Sequence, residues 1–328
     1  MPLPLTIIID DPAPLINVYW WHAAESGNTD HPVLSTGEPV ARQIPVDFLE
    51  QFVDVVECWG VRGKFSVLPY PAALGPIDVG WPGCDEAELT RWIDLVRCRV
   101  TPHMDITPEI LTHARALDLD TMTPLSMNER NWAEEQTAST MTPYITHALE
   151  ILQRVGLSPT GVTSPWDFGI GVEEEYRLAI RQAMSGIGVE QTWYFLHADC
   201  VSTDLRSHVA WRQDERWLVS LWAQVDDFLW QTMESIRADD AYIHSIADAY
   251  LTEDGREGRL TQLQAAGTPM VLVTHWQSLF SNGRRTGLKI LEEVCRRGQA
   301  NWGEQVQWTN CSELARIVAA RDTQRVVP

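Results

Sequence analysis

Short apolar runs alternate along this chain with stretches whose apolar residues recur every three or four positions. Residues 6–9, Thr6-Ile7-Ile8-Ile9, are β-branched and uninterrupted, as a strand buried on both faces must be, and stop at Asp10-Asp11-Pro12. Residues 46–59 carry Phe48, Leu49, Phe52, Val53, Val56 and Trp59 at helical spacing, with Gly60 placed to end the helix. The pattern predicts a second strand at 64–68, a helix at 86–96 and a third strand at 99–103. Thr107-Pro108 reads as a helix start, and Thr142-Pro143 repeats the device before a helical apolar stripe that Gly156 ends. Further strands are predicted at 161–164, 192–196, 270–275 and 306–309, with a helix at 287–297 and a hairpin at 209–222 turning near Gln213-Asp214.

This alternation is that of an α/β protein with mainly parallel strands. Seven or eight β/α units without a repeat period predict one domain over 1–328, a (β/α) barrel with loop and hairpin insertions, the segment 205–230 being a possible lid. A dinucleotide-binding open sheet fits less well, because no glycine-rich phosphate loop follows the first strand. With 45% apolar and 21% charged residues the chain has ample material for a core. Its net charge of −20 argues against nucleic acid or an anionic membrane as partner, leaving a small molecule or oligosaccharide as the expected substrate; the oligomeric state is not legible. Residues 1–41 contain no basic residue, hence no secretory or transit signal. Six scattered cysteines form neither a disulfide framework nor a zinc-ribbon pattern, and a cytoplasmic protein is expected.

The reactive side chains track the predicted strand ends. Asp10 and Asp11 end the first, His103 the third, Trp166 and Asp167 follow the fifth, and His275 ends the strand at 270–275. Parallel strands of a barrel open their C-termini on one face, so these residues are expected to converge there. Adjacent carboxylates after a buried strand must be paired or desolvated; one can bind a cation while the other acts as a base, although Asp-Asp-Pro is also good turn chemistry. His103 and Asp105, two apart, have the makings of metal ligands. His275 suits a general acid or base, and His22, in Tyr19-Trp20-Trp21-His22, a pocket wall or a spare ligand. His113 and His147 fall in stretches read as amphipathic helix, where packing is their expected role. Trp20, Trp21, Trp81, Trp166 and Trp276 lie in predicted loops, where aromatic faces can stack on a sugar ring or another flat ligand, unless they are simply buried.

At these residues the chain resembles the polysaccharide deacetylase (NodB-homology) superfamily, whose domains are distorted (β/α) barrels. Ile9-Asp10-Asp11 is similar to the family's first motif, and Lys64-Phe65-Ser66-Val67 to its second strand. His103-Met104-Asp105-Ile106-Thr107-Pro108 takes the place of its His-x-x-x-His-Pro motif, Thr163-Ser164-Pro165-Trp166 that of Arg-x-Pro-Tyr, and Val273-Thr274-His275 that of Leu-x-His. The resemblance implies a divalent-metal hydrolase, with zinc the first candidate, that removes an acyl group from an amide nitrogen of an N-acetylated sugar or related C–N substrate. By position Asp10 would be the general base, Asp11 and His103 metal ligands, and His275 the acid. Thr107 replaces the second histidine and Thr163 the arginine, so a third ligand would have to come from Asp105 or His22. Trp166, Asp167, His22 and Trp276 would contact substrate. The alternatives are a glycoside hydrolase using Asp10 with Asp167, and a barrel that binds carbohydrate without turnover.

Overall fold

The computed structural model describes residues 2–325. The strands, in chain order, are β1 (Leu3–Asp10), β2 (Gly63–Val67), β3 (Met104–Pro108), β4 (Arg115–Asp118), β5 (Thr123–Asn128), β6 (Gly161–Thr163), β7 (Gln191–Ala198), β8 (His208–Gln213), β9 (Arg216–Ala223), β10 (Met270–His275) and β11 (Val306–Trp308). The helices are α1 (Val18–Gly27), α2 (Val46–Trp59), α3 (Glu86–Leu95), α4 (Glu129–Ala133), α5 (Ala138–Arg154), α6 (Glu173–Gly186), α7 (Asp240–Tyr250), α8 (Arg259–Ala266), α9 (Trp276–Phe280), α10 (Thr286–Trp302) and α11 (Cys311–Arg325).

The fold is mixed α/β with a mainly parallel sheet. One sheet runs β10-β1-β2-β3, with β11 also on β1, and a second runs β6-β7-β9-β8, only β8 being antiparallel. Isolated bridges link the two at both seams: Ile106 to Pro159 and Glu109 to Thr163 on one side, Val225 to Leu272 on the other. Along β1 the side chains alternate between two apolar cores. Ile7 and Ile9 pack with the surrounding helices, whereas Ile8 joins Trp193, Val219, Leu221 and Val271 and the apolar face of α11. Asp10 shares the face of Ile8, so this alternation alone sends it inward. Gly63 is required where β2 crosses β1, because a Cβ there would lie 1.8 Å from the carbonyl oxygen of Ile7.

Four predicted elements need correcting. Residues 99–103 are not a strand: Leu89, Trp92, Val96 and Val100 make one buried helical stripe, and the coil that begins with α3 continues as a wider turn over Val96–Val100. The third strand therefore starts at Met104, and Thr107 and Pro108 end it instead of opening a helix. α5 begins at Ala138 and carries Pro143 inside it. The predicted hairpin exists as β8 and β9, but β9 pairs in parallel with β7 and so belongs to the sheet. All six cysteines are free thiols. Among the described residues no helix is long and apolar enough to cross a membrane.

Candidate active site

Above the C-terminal ends of β1, β3, β7 and β10 lies a cavity of 690 Å³, lined among others by Asp10, Asp11, Glu109, His113, Trp166 and His275. Asp11 and Glu109 follow β1 and β3 directly, and His113 comes four residues after Glu109. One ligand atom of each lies within 4.8 Å of the others, and all three side chains are buried. His113 Nε2 is 2.9 Å from Asp11 Oδ1 and 3.5 Å from Glu109 Oε1. The Asp11 backbone N–H donates to Glu109 Oε2 at 2.7 Å, and Gln277 Nε2 donates to Asp11 Oδ2.

The electrostatics of this trio ask for a cation. Burial alone would raise the Asp11 carboxyl, but the charge and proximity of His113 hold it well below the usual carboxylate range. Burial followed by the charges of Asp11 and Asp10 pushes Glu109 far up. Burial opposes the imidazolium of His113, and Asp11 outweighs it, so His113 is raised. Two buried carboxylates thus compete for the one positive charge of His113, a competition a divalent ion held by all three groups would resolve. Two carboxylate oxygens and one imidazole nitrogen are a three-ligand set of the kind catalytic metal sites use.

The backbone that presents these groups is strained. Asp11, Ile110, His113 and Trp166 all adopt left-handed φ values of 68°, 43°, 49° and 49°. Such residues cost about 1–3 kcal/mol each and concentrate at functional sites. Glu129, at the start of α4, holds the His113 turn in place: its Oε1 accepts from Thr112 N–H and Tyr144 O–H at 2.8 and 2.7 Å, and its Oε2 from His113 N–H at 2.8 Å.

Asp10 lives in different surroundings. Lys64, fully buried on β2, donates from Nζ to Asp10 Oδ1, to Ser66 Oγ, and to Thr163 Oγ1 at 2.7 Å. Thr107 Oγ1 lies 2.8 Å from Thr163 Oγ1 and closes the cluster. The positive charge beside the first aspartate therefore comes from β2, and Thr163 is its hydrogen-bond partner.

His275 sits beside Asp10 in the β1–β10 register. Its Nδ1 is 2.8 Å from Asp227 Oδ2, and Asp227 also accepts from Thr274 Oγ1, Leu229 N–H and Ser278 Oγ at 3.0, 3.1 and 2.7 Å. An aspartate so engaged stays an acceptor, so His275 Nδ1 carries a proton and Nε2 is the group free to act. Burial lowers His275, but the Asp227 hydrogen bond and the Asp11 charge prevail and raise it to about 9.

His22, His113 and Trp166 form a three-ring wall with centroids 4.4–4.8 Å apart. His22 Nε2 lies 2.6 Å from the His113 carbonyl oxygen and must therefore donate, which keeps this nitrogen from ligating. Burial and the His113 charge lower His22 to about 4. Asp167, on the rim, is 3.5 Å from Arg130.

Asp10, Asp11, His22, Trp166, Asp167 and His275 therefore share one cavity, while His103, Asp105 and Trp276 lie elsewhere. His103 precedes β3 at the opposite strand end. Asp105 accepts the Ser312 N–H at 2.6 Å and so anchors the N-terminus of α11. Trp276 is 1% exposed and packs on Phe48, Phe52 and Phe65. Sequence reasoning missed Glu109, His113, Asp227 and Lys64. Three of them had a signal: Glu109 follows a strand end once β3 is placed correctly, Asp227 lies just past β9, and Glu109-x-x-x-His113 has the spacing sought one motif too early.

No family model and no curated protein matches the sequence. Among solved structures, that of a candidate polysaccharide deacetylase from Mycobacterium smegmatis superposes with a TM-score of 0.50 at 17% identity, over 84% of this chain and 78% of that one. The 4-alpha-glucanotransferase from Thermococcus litoralis gives a TM-score of 0.46 at 13% identity, over 95% of this chain and 40% of that one. The first likeness is one of fold: the chain has a distant deacetylase-like fold.

Proposed function

We propose that the strands form a distorted barrel carrying a metal-dependent hydrolase site that removes an acyl group from an amide nitrogen, in the manner of polysaccharide deacetylases. The observation that carries this reading is the buried Asp11–Glu109–His113 trio, flanked on one cavity by a charge-held Asp10 and an Asp227-held His275. Asp11, Glu109 and His113 would hold the ion. A bound divalent ion supplies Lewis-acid polarisation of the amide carbonyl and a more acidic water.

The chain's own groups perform the proton transfers. Lys64 and Ser66 fix one oxygen of Asp10, leaving the other to take the proton of the attacking water as its oxygen bonds to the carbonyl carbon. His275, raised to about 9, is protonated at neutral pH. Its Nε2 proton passes to the departing nitrogen as the C–N bond breaks, and Asp227 stabilises the charge held until then. Trp166 offers an exposed aromatic face to the substrate, with His22 behind it and Asp167 at the rim. Six free thiols suit a cytoplasmic setting.

The test combines metal binding with turnover. Calorimetry with zinc, manganese and cobalt is expected to give one site per chain. Diacetylchitobiose and N-acetylbenzylamine are then assayed for metal-dependent acetate release, expected to be lost in Asp10→Asn and His275→Ala. A protein that binds none of the three ions, or that releases no acetate when loaded, overturns the reading.

A further inference from the structure

The cavity has carboxylates in abundance and no cation to spare. Among the described residues that line it there is no lysine or arginine. The nearest cations are already engaged. Lys64 is fully buried beneath Asp10, and Arg130 stands at the rim on Asp167. His275 is held by Asp227 at Nδ1 and commits its Nε2 proton to the leaving nitrogen, and His197 lies 3.1 Å from Glu173. A divalent ion on Asp11, Glu109 and His113 would neutralise its own ligands and face the acyl carbonyl. An anionic substituent elsewhere on the substrate would thus be desolvated among wall residues that offer it no counter-charge. Neutral and cationic substituents meet no such penalty, and the aromatic faces of Trp166, Trp230 and Tyr19 suit both.

We propose that the substrate is an N-acyl amine free of carboxylate, phosphate or sulfate, uncharged or cationic, and that the missing wall cation is what excludes its anionic counterparts. The acyl-amine part rests on the hydrolase reading above; the charge selection rests on the cavity wall alone. A volume of 690 Å³ accommodates one or two ring-sized units.

The test uses three N-benzylacetohydroxamic acids, which keep the acetyl and amine halves and chelate a metal without being turned over. They carry a para methyl, a para aminomethyl or a para carboxylate group. Binding to the zinc-loaded protein is measured by calorimetry at 20 mM and 0.5 M NaCl. The expected result is at least tenfold weaker binding of the carboxylate than of both others, at both salt concentrations. Ile170, 41% exposed on the cavity wall, is then changed to arginine, which should strengthen carboxylate binding at least fivefold and leave the methyl compound within twofold.

Carboxylate binding equal to that of the methyl compound overturns the proposal. So does a penalty that vanishes at high salt, which would belong to the whole chain's charge, or an Ile170→Arg protein that gains nothing. If none of the three binds, this proposal and the metal site fall together. The matching N-acetylbenzylamines separate the two readings: no acetate from any of them, with the hydroxamates still ranked by charge, removes the hydrolase and leaves the charge selection standing.

Discussion

Asp10 and Asp11 are neighbours in the chain, yet one faces an ammonium and the other an imidazole and a second carboxylate. The strand pleat separates them, and the left-handed backbone of Asp11 turns it toward Glu109. Their partners set the residue-scale predictions. Lys64→Met leaves a buried carboxylate unpaired and should cost roughly 3–5 kcal/mol in urea unfolding, with the Asp10→Asn/Lys64→Met double variant recovering most of it. Because His275 must be protonated to serve the leaving nitrogen, activity should fall as pH rises through about 9. Asp227→Asn removes the hydrogen bond and one of the charges that raise this histidine and leaves burial opposed only by Asp11 and Asp10, so the alkaline limb should move down from about 9, with about a tenfold loss of kcat at pH 9. A pH–rate profile of the two proteins decides it; an unmoved limb would exclude His275 as the acid.

At the scale of elements, the site depended on where one strand begins. The run ending at His103 has strand-like residues, but Val96 and Val100 continue the buried stripe that starts at Leu89. Packing of that stripe against α2 outweighed the β propensity of Val100 and Thr101, and the strand slid to Met104. The assignments around this strand moved with it: His103 and Asp105 fell to the lower end, and Glu109 and His113 rose to the upper. The turn that carries His113 is held by Glu129, a residue outside the ligand set. Glu129→Gln keeps one acceptor and loses the other, so zinc affinity should drop about 10–100-fold in calorimetry with little change in the far-UV circular dichroism. An unchanged affinity would mean the turn holds its shape without it.

For the whole molecule, the strand C-termini converge because parallel strands open one way, and α11 packs on the face of the strands that carries Ile8. The lower end is thereby spent on packing: Asp105 serves the N-terminus of α11, and Cys311 and Leu314 lie fully buried with Ile8, Trp193, Val219 and Val271. A ligand that binds only the folded chain stabilises it by roughly 2.7 kcal/mol at a hundredfold excess over Kd. Zinc or manganese should therefore raise the melting temperature of the native protein, chelation should reverse the gain, and Asp11→Asn or Glu109→Gln should show none of it. Differential scanning calorimetry at fixed protein concentration measures this directly.

Local pattern was enough for the α/β class, for α2 from Val46 to Trp59, for β10 and its terminal histidine, and for the aspartate pair after β1. These depend on periodicity and on what must follow a buried strand, and both are properties of a few consecutive residues. The tertiary structure alone decided which carboxylate joins Asp11, which cation holds Asp10 and which aspartate orients His275. Those partners lie 98, 54 and 48 residues apart in the chain. Nothing in a short window distinguishes Lys64 from a surface residue until parallel strands in fixed register bring their ends into one low-dielectric space, where each buried charge must find a partner.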